Sequence, residues 1–371
     1  MLKRVSIQNF KSLKAVTLDL QRVNLLIGPN NSGKTNFLKA LEYFNLSVLQ
    51  DDIASERLAR KVRYVNSSEP ISIKLTFQRK SEEIEFSRKI IFTSTVDLES
   101  SQRIFREGIV IDTDEQGYPD VAFLRSQLAH LRIYKPDPNK LTKPGPVGNG
   151  ADLVTADASN VIGFLDRMLG NKYRKTVFNQ IEDDLHKCVP EFDQIELEDA
   201  IATEESIRIH GEESRKYSFK RLGLINEQKG ISYWADELSE GTLYFIALLC
   251  IINQPNPPKL LLLEEPEKGI HPRRIREVMD FIFRLAEEKD VQVILTTHNE
   301  HVLDEFATRP EAVFVFDKDD DGATYVKNLQ RDIIDPTNAR NGELDLDPVD
   351  LTSNLSENWL YGLLGGVPAI L

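Results

Sequence analysis

An α/β fold is the expectation for this 371-residue chain, and three observations carry it. Short apolar runs at residues 24–27, 259–263 and 291–297 read as buried strands. Helical patterns alternate with them: Phe37, Leu38, Ala40, Leu41 and Phe44; Leu243, Ile246, Ala247, Leu249 and Cys250; Ile275, Val278, Met279, Ile282 and Leu285. Between the first strand and the first helix lies Gly28-Pro29-Asn30-Asn31-Ser32-Gly33-Lys34-Thr35, which fits G-x-x-x-x-G-K-[ST], the pattern of a phosphate-wrapping loop.

The physical need behind that pattern is specific. A triphosphate is wrapped by backbone N–H groups, so glycine stands where a side chain would block close approach. The N-terminus of the following helix adds the positive end of its dipole. In that arrangement Lys34 reaches the β- and γ-phosphates and the Thr35 hydroxyl holds Mg²⁺. The ligands expected from the loop are ATP or GTP, with Mg²⁺.

Bulk composition narrows the class further. Hydrophobic residues at 41% and charged residues at 28% describe an ordinary globular protein. The longest apolar runs, such as residues 244–252, are about half of what a membrane span needs. Lys3, Arg4, Gln8, Asn9, Lys11 and Ser12 interrupt any signal-peptide pattern. Cys188 and Cys250 read as reduced structural thiols, so the expected setting is cytoplasmic. A net charge of −13 argues against a surface that clings to nucleic acid as a whole, and leaves a local basic groove open.

Taken in order, residues 5–9 and 15–20 alternate as two strands joined by the turn Phe10-Lys11-Ser12-Leu13. Residues 50–70 are polar and carry Arg57, Arg60, Lys61 and Arg63, either a solvated helix face or a phosphate-binding patch. Strands at 71–77, 83–92, 103–112 and 131–134 suggest an antiparallel meander, and residues 135–150, rich in Pro, Gly and Lys, a long surface loop. Residues 158–169 and 172–189 read as helices, and 193–197, 206–210 and 217–222 as strands. The expected organisation is an N-terminal lobe over 1–150 with the phosphate loop and an antiparallel β subdomain, a helical insert over 151–190, a C-terminal lobe over 191–340, and an acidic then apolar tail over 341–371. That tail either docks a partner or packs on its own head.

A second cluster of motifs follows. Leu238-Ser239-Glu240-Gly241-Thr242 opens an apolar helix, with Ser239 as N-cap and Gly241 leaving bare backbone. Alone, such a motif mostly means capping. The strand at 259–263, however, ends in Glu264-Glu265-Pro266-Glu267. Two carboxylates at the end of a buried strand serve P-loop proteins as a metal-associated acid and a water-orienting acid, here Glu264 and Glu265. His298 directly follows the strand at 291–297; on its own it reads as structural, and in this order of motifs as a γ-phosphate sensor. Residues 317–322 begin like a calcium loop, but Asn328 stands where that loop requires Glu, so a hairpin turn is expected.

These motifs, together with Asn9-Phe10-Lys11-Ser12, Lys268-Gly269-Ile270-His271-Pro272 and Thr296-Thr297-His298-Asn299, resemble the ABC-type ATPases, and more closely their SMC/RecF-like and OLD-like branch. The resemblance runs from the first residues to about residue 317 and implies an ATPase head with the P-loop NTPase fold. It implies that Lys11, Ser12, Asn30, Asn31, Ser32, Gly33, Lys34, Thr35 and Asn36 bind ATP, and that Thr35 and Glu264 hold Mg²⁺. Lys34, Glu265 and His298 would carry hydrolysis. Ser239 and Gly241 would face the nucleotide of a second copy, so that ATP closes a homodimer.

Three departures stand out. The family's Q-loop glutamine has no counterpart near Tyr134, where Lys135-Pro136-Asp137 follows; long coiled-coil arms are absent; and too few residues follow His298 for the nuclease module of OLD proteins, although Asp345-Leu346-Asp347 imitates its Asp-x-Asp. The expected function is a nucleotide-gated switch in DNA-associated processes, as the ATPase subunit of an anti-phage defence system with a separate nuclease or toxin as effector. A self-contained nuclease and the nucleotide-binding subunit of a transporter are the alternatives; the latter class places its acids much nearer the P-loop lysine.

Overall fold

Alternation at the N-terminus builds the first sheet. The strand Leu2–Phe10 buries Leu2, Val5, Ile7 and Phe10. Leu2 and Val5 share the buried face despite their spacing because the pairing register shifts between Leu2 and Arg4. This strand pairs antiparallel with Leu13–Asp19 on one side and Ile71–Arg79 on the other. Glu82–Phe92, Leu98–Arg106 and Ile109–Asp112 continue the sheet to six strands, all antiparallel.

The computed structural model describes residues 1–49, 64, 69–92, 98–106, 109–112, 119–148, 150, 152–170, 172–268 and 270–366. They form two units, Met1–Ile133 with Lys259–Glu265 and Leu285–Leu371, and Tyr134–Pro258 with Pro266–Arg284. Arg57, Arg60, Lys61 and Arg63 lie outside the described residues.

The first unit holds five consecutive strands of a second, six-stranded sheet, in the order Thr324–Asn328, Val313–Lys318, Val23–Ile27, Gln292–Thr296, Leu260–Glu264. Of these five, the last four run parallel and the first closes them as an antiparallel hairpin. Val23–Ile27 and Gln292–Thr296 are buried at every position, as strands covered on both faces must be. Two polar side chains are satisfied inside. Asn24 donates to the Gln21 and Val293 carbonyls at 2.7 and 3.1 Å and accepts from the Gln21 N–H at 2.7 Å. Gln292 grips the backbone of Leu2 with both ends of its amide, at 2.9 and 2.8 Å, tying the N-terminal strand to the parallel sheet.

The second unit is built around Glu240–Asn253, a helix apolar on every side and therefore buried all round. Helices Val161–Leu169 and Lys175–Cys188 belong to the same unit, as does an antiparallel sheet in which Ser218–Asn226 pairs with Gln194–Ala200, Ile231–Trp234 and Gly145–Val147.

Several local expectations change. Residues 206–210 form no strand but the end of the helix Glu204–His210. Thr203 caps it by accepting from the Ser206 N–H at 3.1 Å, with Glu204 and Glu205 in the first turn, and these end signals outweigh the alternation of Ser206 to His210. The stretch 135–150 is not a surface loop. Asp137 caps the short helix Pro138–Leu141, Leu141 is buried, and Gly145–Val147 is a buried strand passing so close to Ile162 that a Cβ on Gly145 would stand 3.0 Å from it. Pro119–Gln127, between the strands expected at 103–112 and 131–134, is helical.

In the tail, residues 342–350 are exposed and Trp359 and Leu364 are buried. The Trp359 indole donates to the Gly366 carbonyl at 3.2 Å, and the N–H groups of Ser356 and Gly366 reach the Asp304 and Asp317 carboxylates. One face of the tail thus packs on its own head, while Leu360, Tyr361 and Leu363 stay exposed. Among the described residues no helix is long and apolar enough to cross a membrane.

Candidate nucleotide site

The strand Val23–Ile27 delivers the chain to Gly28, and the helix Lys34–Leu49 takes it up again. The turn between them needs left-handed backbone at Gly28, Asn31 and Gly33 (φ 142°, 67° and 110°). Two glycines have a second, tertiary reason. A Cβ on Gly28 would stand 2.1 Å from the Phe316 carbonyl oxygen, and one on Gly33 would stand 2.3 Å from Thr324 Oγ1. Thr324 is buried, and its hydroxyl lies 2.8 Å from both Ser12 Oγ and the Ser32 carbonyl. Asn36 donates to the same Ser12 Oγ at 2.9 Å. The turn Lys11-Ser12, the phosphate loop and the C-terminal hairpin are thereby locked together.

Within this cradle Lys34 is almost fully buried. Its Nζ donates to the Gly28 and Pro29 carbonyls at 2.7 and 2.9 Å. Burial lowers its pKa to about 8, against the opposing pull of Glu265 and Glu264. A cation whose charge is this poorly solvated favours an arriving anion. Lys11 is half-buried, its backbone left-handed at φ 52°, and burial with Lys39 nearby lowers its pKa as well. Asn30 and Asn31 are exposed at the loop tip.

The acids and the histidine come from neighbouring strand ends. Parallel pairing sets Glu264 opposite Thr296, and Thr35 Oγ1 donates to Glu264 Oε1 at 2.7 Å. Glu265 adopts φ 49°, a left-handed conformation costly for a side chain of this kind, while its N–H still reaches the Thr296 carbonyl at 3.0 Å. The bend aims its carboxylate at His298, with Oε1 3.3 Å from Nε2. On the other side His298 Nδ1 is 3.5 Å from Lys34 Nζ and 3.2 Å from the Gly28 carbonyl.

Burial first, then Lys34, lowers the pKa of His298, so the ring is neutral at neutral pH and carries one N–H. With its one N–H on Nε2 the ring donates to Glu265 and accepts from Lys34; with it on Nδ1 the ring donates to the Gly28 carbonyl instead. The three groups form a chain, Lys34 to His298 to Glu265.

In the second unit Ser239 caps Glu240–Asn253, accepting from the Thr242 N–H at 3.1 Å, and Arg274 Nη1 donates to the same Ser239 oxygen at 3.1 Å. Ser239 and Gly241 thus belong to a different unit from Lys34. In the stretch 135–150, Lys140 pairs with Asp157 at 2.6 Å and Lys143 with Glu205 at 2.9 Å. Sequence reasoning missed Thr324 and Arg274. A polar residue opening a strand after a turn, and an arginine on a charged helix start, carry no local signal.

Comparison with known proteins agrees with this geometry. A family model described as "AAA domain, putative AbiEii toxin, Type IV TA system" matches residues 157–304, and one described as "AAA domain" matches residues 4–142. An ATP/GTP phosphatase of Helicobacter pylori is 23% identical over 346 residues, covering 82% of this chain and 87% of that protein. An OLD nuclease of Thermus scotoductus is 22% identical over 367 residues, covering 92% of this chain and 67% of that one. The SMC head domain from Thermotoga maritima superposes with a TM-score of 0.52 at 14% identity, over 88% of this chain and 98% of the head.

Fold and site together define a P-loop ATPase of the ABC type. Within that class its likenesses are to an OLD nuclease in sequence and to an SMC head in fold.

Proposed function

We propose that this ATPase dimerises around ATP in the cytoplasm and works as a nucleotide-gated switch on nucleic acid, passing its state to a separate effector, a nuclease or a toxin. Nucleotide binding closes the pair and hydrolysis reopens it. The observation that carries the reading is the division of the phosphate-binding groups. Lys34, Thr35, Glu264, Glu265 and His298 converge within one unit, and Ser239 with Gly241 opens a helix in the other.

The side chains take distinct roles in this proposal. Lys34 leaves the Gly28 and Pro29 carbonyls for the β- and γ-phosphates, while Ser32, Gly33 and Asn36 present the loop and Lys11 and Ser12 flank it. Asn30 and Asn31 form the exposed lip. The Thr35 hydroxyl and the Glu264 carboxylate, hard oxygen donors 2.7 Å apart, suit Mg²⁺. When bound, that ion neutralises phosphate charge. Glu265 orients the attacking water and receives its proton. Neutral His298 holds Glu265 through Nε2–H and stands beside the γ-phosphate. Ser239 and Gly241 complete the site from the second copy.

The nucleic-acid part is supported by likeness to an OLD nuclease and the effector part by the toxin named in the matching family description. The exposed edge Leu360, Tyr361 and Leu363 is the place assigned to effector docking. Light scattering with the Glu265→Gln variant tests the core of the proposal. ATP is expected to double the mass and hold it there, with hydrolysis lost. A variant that hydrolyses at the wild-type rate, or stays monomeric in saturating ATP, sinks it.

A further inference from the structure

Gly241 has no reason to be glycine within its own chain. Its backbone is ordinary right-handed helix, and a Cβ there would meet nothing nearer than Arg274 Cδ at 3.7 Å and Ser239 Oγ at 3.8 Å, both comfortable contacts. Gly28, Gly33 and Gly223 differ, since a Cβ at each would strike a neighbour at 2.1, 2.3 and 2.8 Å. Glycine in the first turn of a helix weakens it relative to alanine. The space it keeps open therefore serves a group from outside the chain.

Arg274 points the same way. Its guanidinium lies at the N-terminus of Glu240–Asn253, bonded to the capping Ser239 Oγ at 3.1 Å. The positive end of a helix dipole is an unfavourable place for a cation. Glu277 compensates only in part, at 3.6 Å and half-exposed, and Glu240 opens the helix beside it. The first-turn N–H groups of Glu240 and Gly241 have no acceptor within the helix. Bare backbone donors, a serine hydroxyl and a half-exposed guanidinium thus converge on one face, which is an anion-receiving surface.

We propose that Arg274 is delivered across the dimer to the γ-phosphate held by Lys34 of a second copy, acting beside Ser239 as a phosphate contact in trans. This rests on the ATP-linked dimer proposed above. Its long, half-exposed side chain needs no rearrangement of its own unit to reach outward, and a guanidinium fork suits two phosphate oxygens. The helix Glu240–Asn253 then senses whether the phosphate opposite is still attached.

Arg274→Ala is expected to lower kcat about a thousandfold or more, the range of arginines that act on phosphoryl transfer. Affinity of a fluorescent ATP analogue for the isolated chain stays unchanged, because the same chain's Lys34 holds it. Gly241→Ala, which the packing accommodates, should melt at or above the wild-type temperature and lose hydrolysis.

The decisive measurement mixes Arg274→Ala with Lys34→Ala, each inactive alone, before ATP is added. A mixed dimer contains one site with both residues intact, so about a quarter of the wild-type rate returns. An inactive mixture, when Glu265→Gln still dimerises with ATP, overturns the role of Arg274 and spares the dimer. Failure of Glu265→Gln to dimerise removes the dimer reading and this proposal with it. Wild-type hydrolysis by Arg274→Ala or by Gly241→Ala also overturns it.

Discussion

Raising the pH from 7 to 9 changes what an incoming nucleotide meets at Lys34. In the nucleotide-free chain burial holds the ammonium pKa at about 8, against the pull of Glu265 and Glu264. Roughly a tenth of the side chain is then neutral at pH 7, about half at pH 8 and about nine-tenths at pH 9. Phosphate oxygens at hydrogen-bond distance favour the charged form and raise the pKa again. Binding of ATP therefore takes up about half a proton per chain at pH 8 and about 0.9 at pH 9. Titration calorimetry in two buffers of different ionisation enthalpy reads this number directly, as the slope of apparent binding enthalpy against buffer enthalpy. Lys34→Met should abolish it wherever binding is still measurable. A zero slope at pH 8 and pH 9 in the wild-type chain would refute the reasoning, since the buried lysine would then already be fully charged.

The same pKa sets a folding signature. The folded value of about 8 lies below the ordinary 10.5, so the buried charge costs stability below pH 8, and the cost fades as the pH climbs from 8 toward 10.5. The nucleotide-free chain gains up to about 3 kcal/mol from Lys34 over that window.

Other outcomes follow from single contacts. Thr324→Val removes the hydroxyl that joins Ser12 to the Ser32 carbonyl and should weaken ATP binding about tenfold, or about 1.4 kcal/mol, in a fluorescence titration, with Thr324→Ser retaining near-normal affinity. Asn24→Ala removes the acceptor of the Gln21 N–H and the buried donor to the Val293 carbonyl, while the Gln21 carbonyl keeps Gln292 Nε2 at 2.8 Å, and should cost about 1–3 kcal/mol in urea unfolding. His298→Ala frees Glu265 from the contact that aims it. Hydrolysis is expected to fall on the order of a hundredfold with ATP affinity changed much less, in a steady-state phosphate-release assay.

How legible this protein is depends on how local each feature's cause is. The phosphate loop, the paired acids and His298 were readable because each follows a short, mainly apolar strand, and a strand end is marked within a few residues. The antiparallel N-terminal sheet was readable for the same reason: alternation in Leu2–Phe10 and Ile71–Arg79 is a local property. Alternation misled at 206–210, where five residues imitate a strand although Thr203 and two glutamates had already started a helix. Composition misled at 135–150, where Pro and Gly marked tight passage beside Ile162 and not a surface loop.

Sequence alone singled out Lys34, Thr35, Glu264, Glu265 and His298, and the fold brings these five together. Only the tertiary structure decided how that chemistry is held. Thr324 meets Ser12 across 312 residues of chain, and the Phe316 carbonyl, not the ligand alone, forbids a side chain at Gly28. Such long-range contacts leave no periodicity to read. They arise from the parallel pairing of Val313–Lys318 with Val23–Ile27, which brings a C-terminal hairpin against an N-terminal loop.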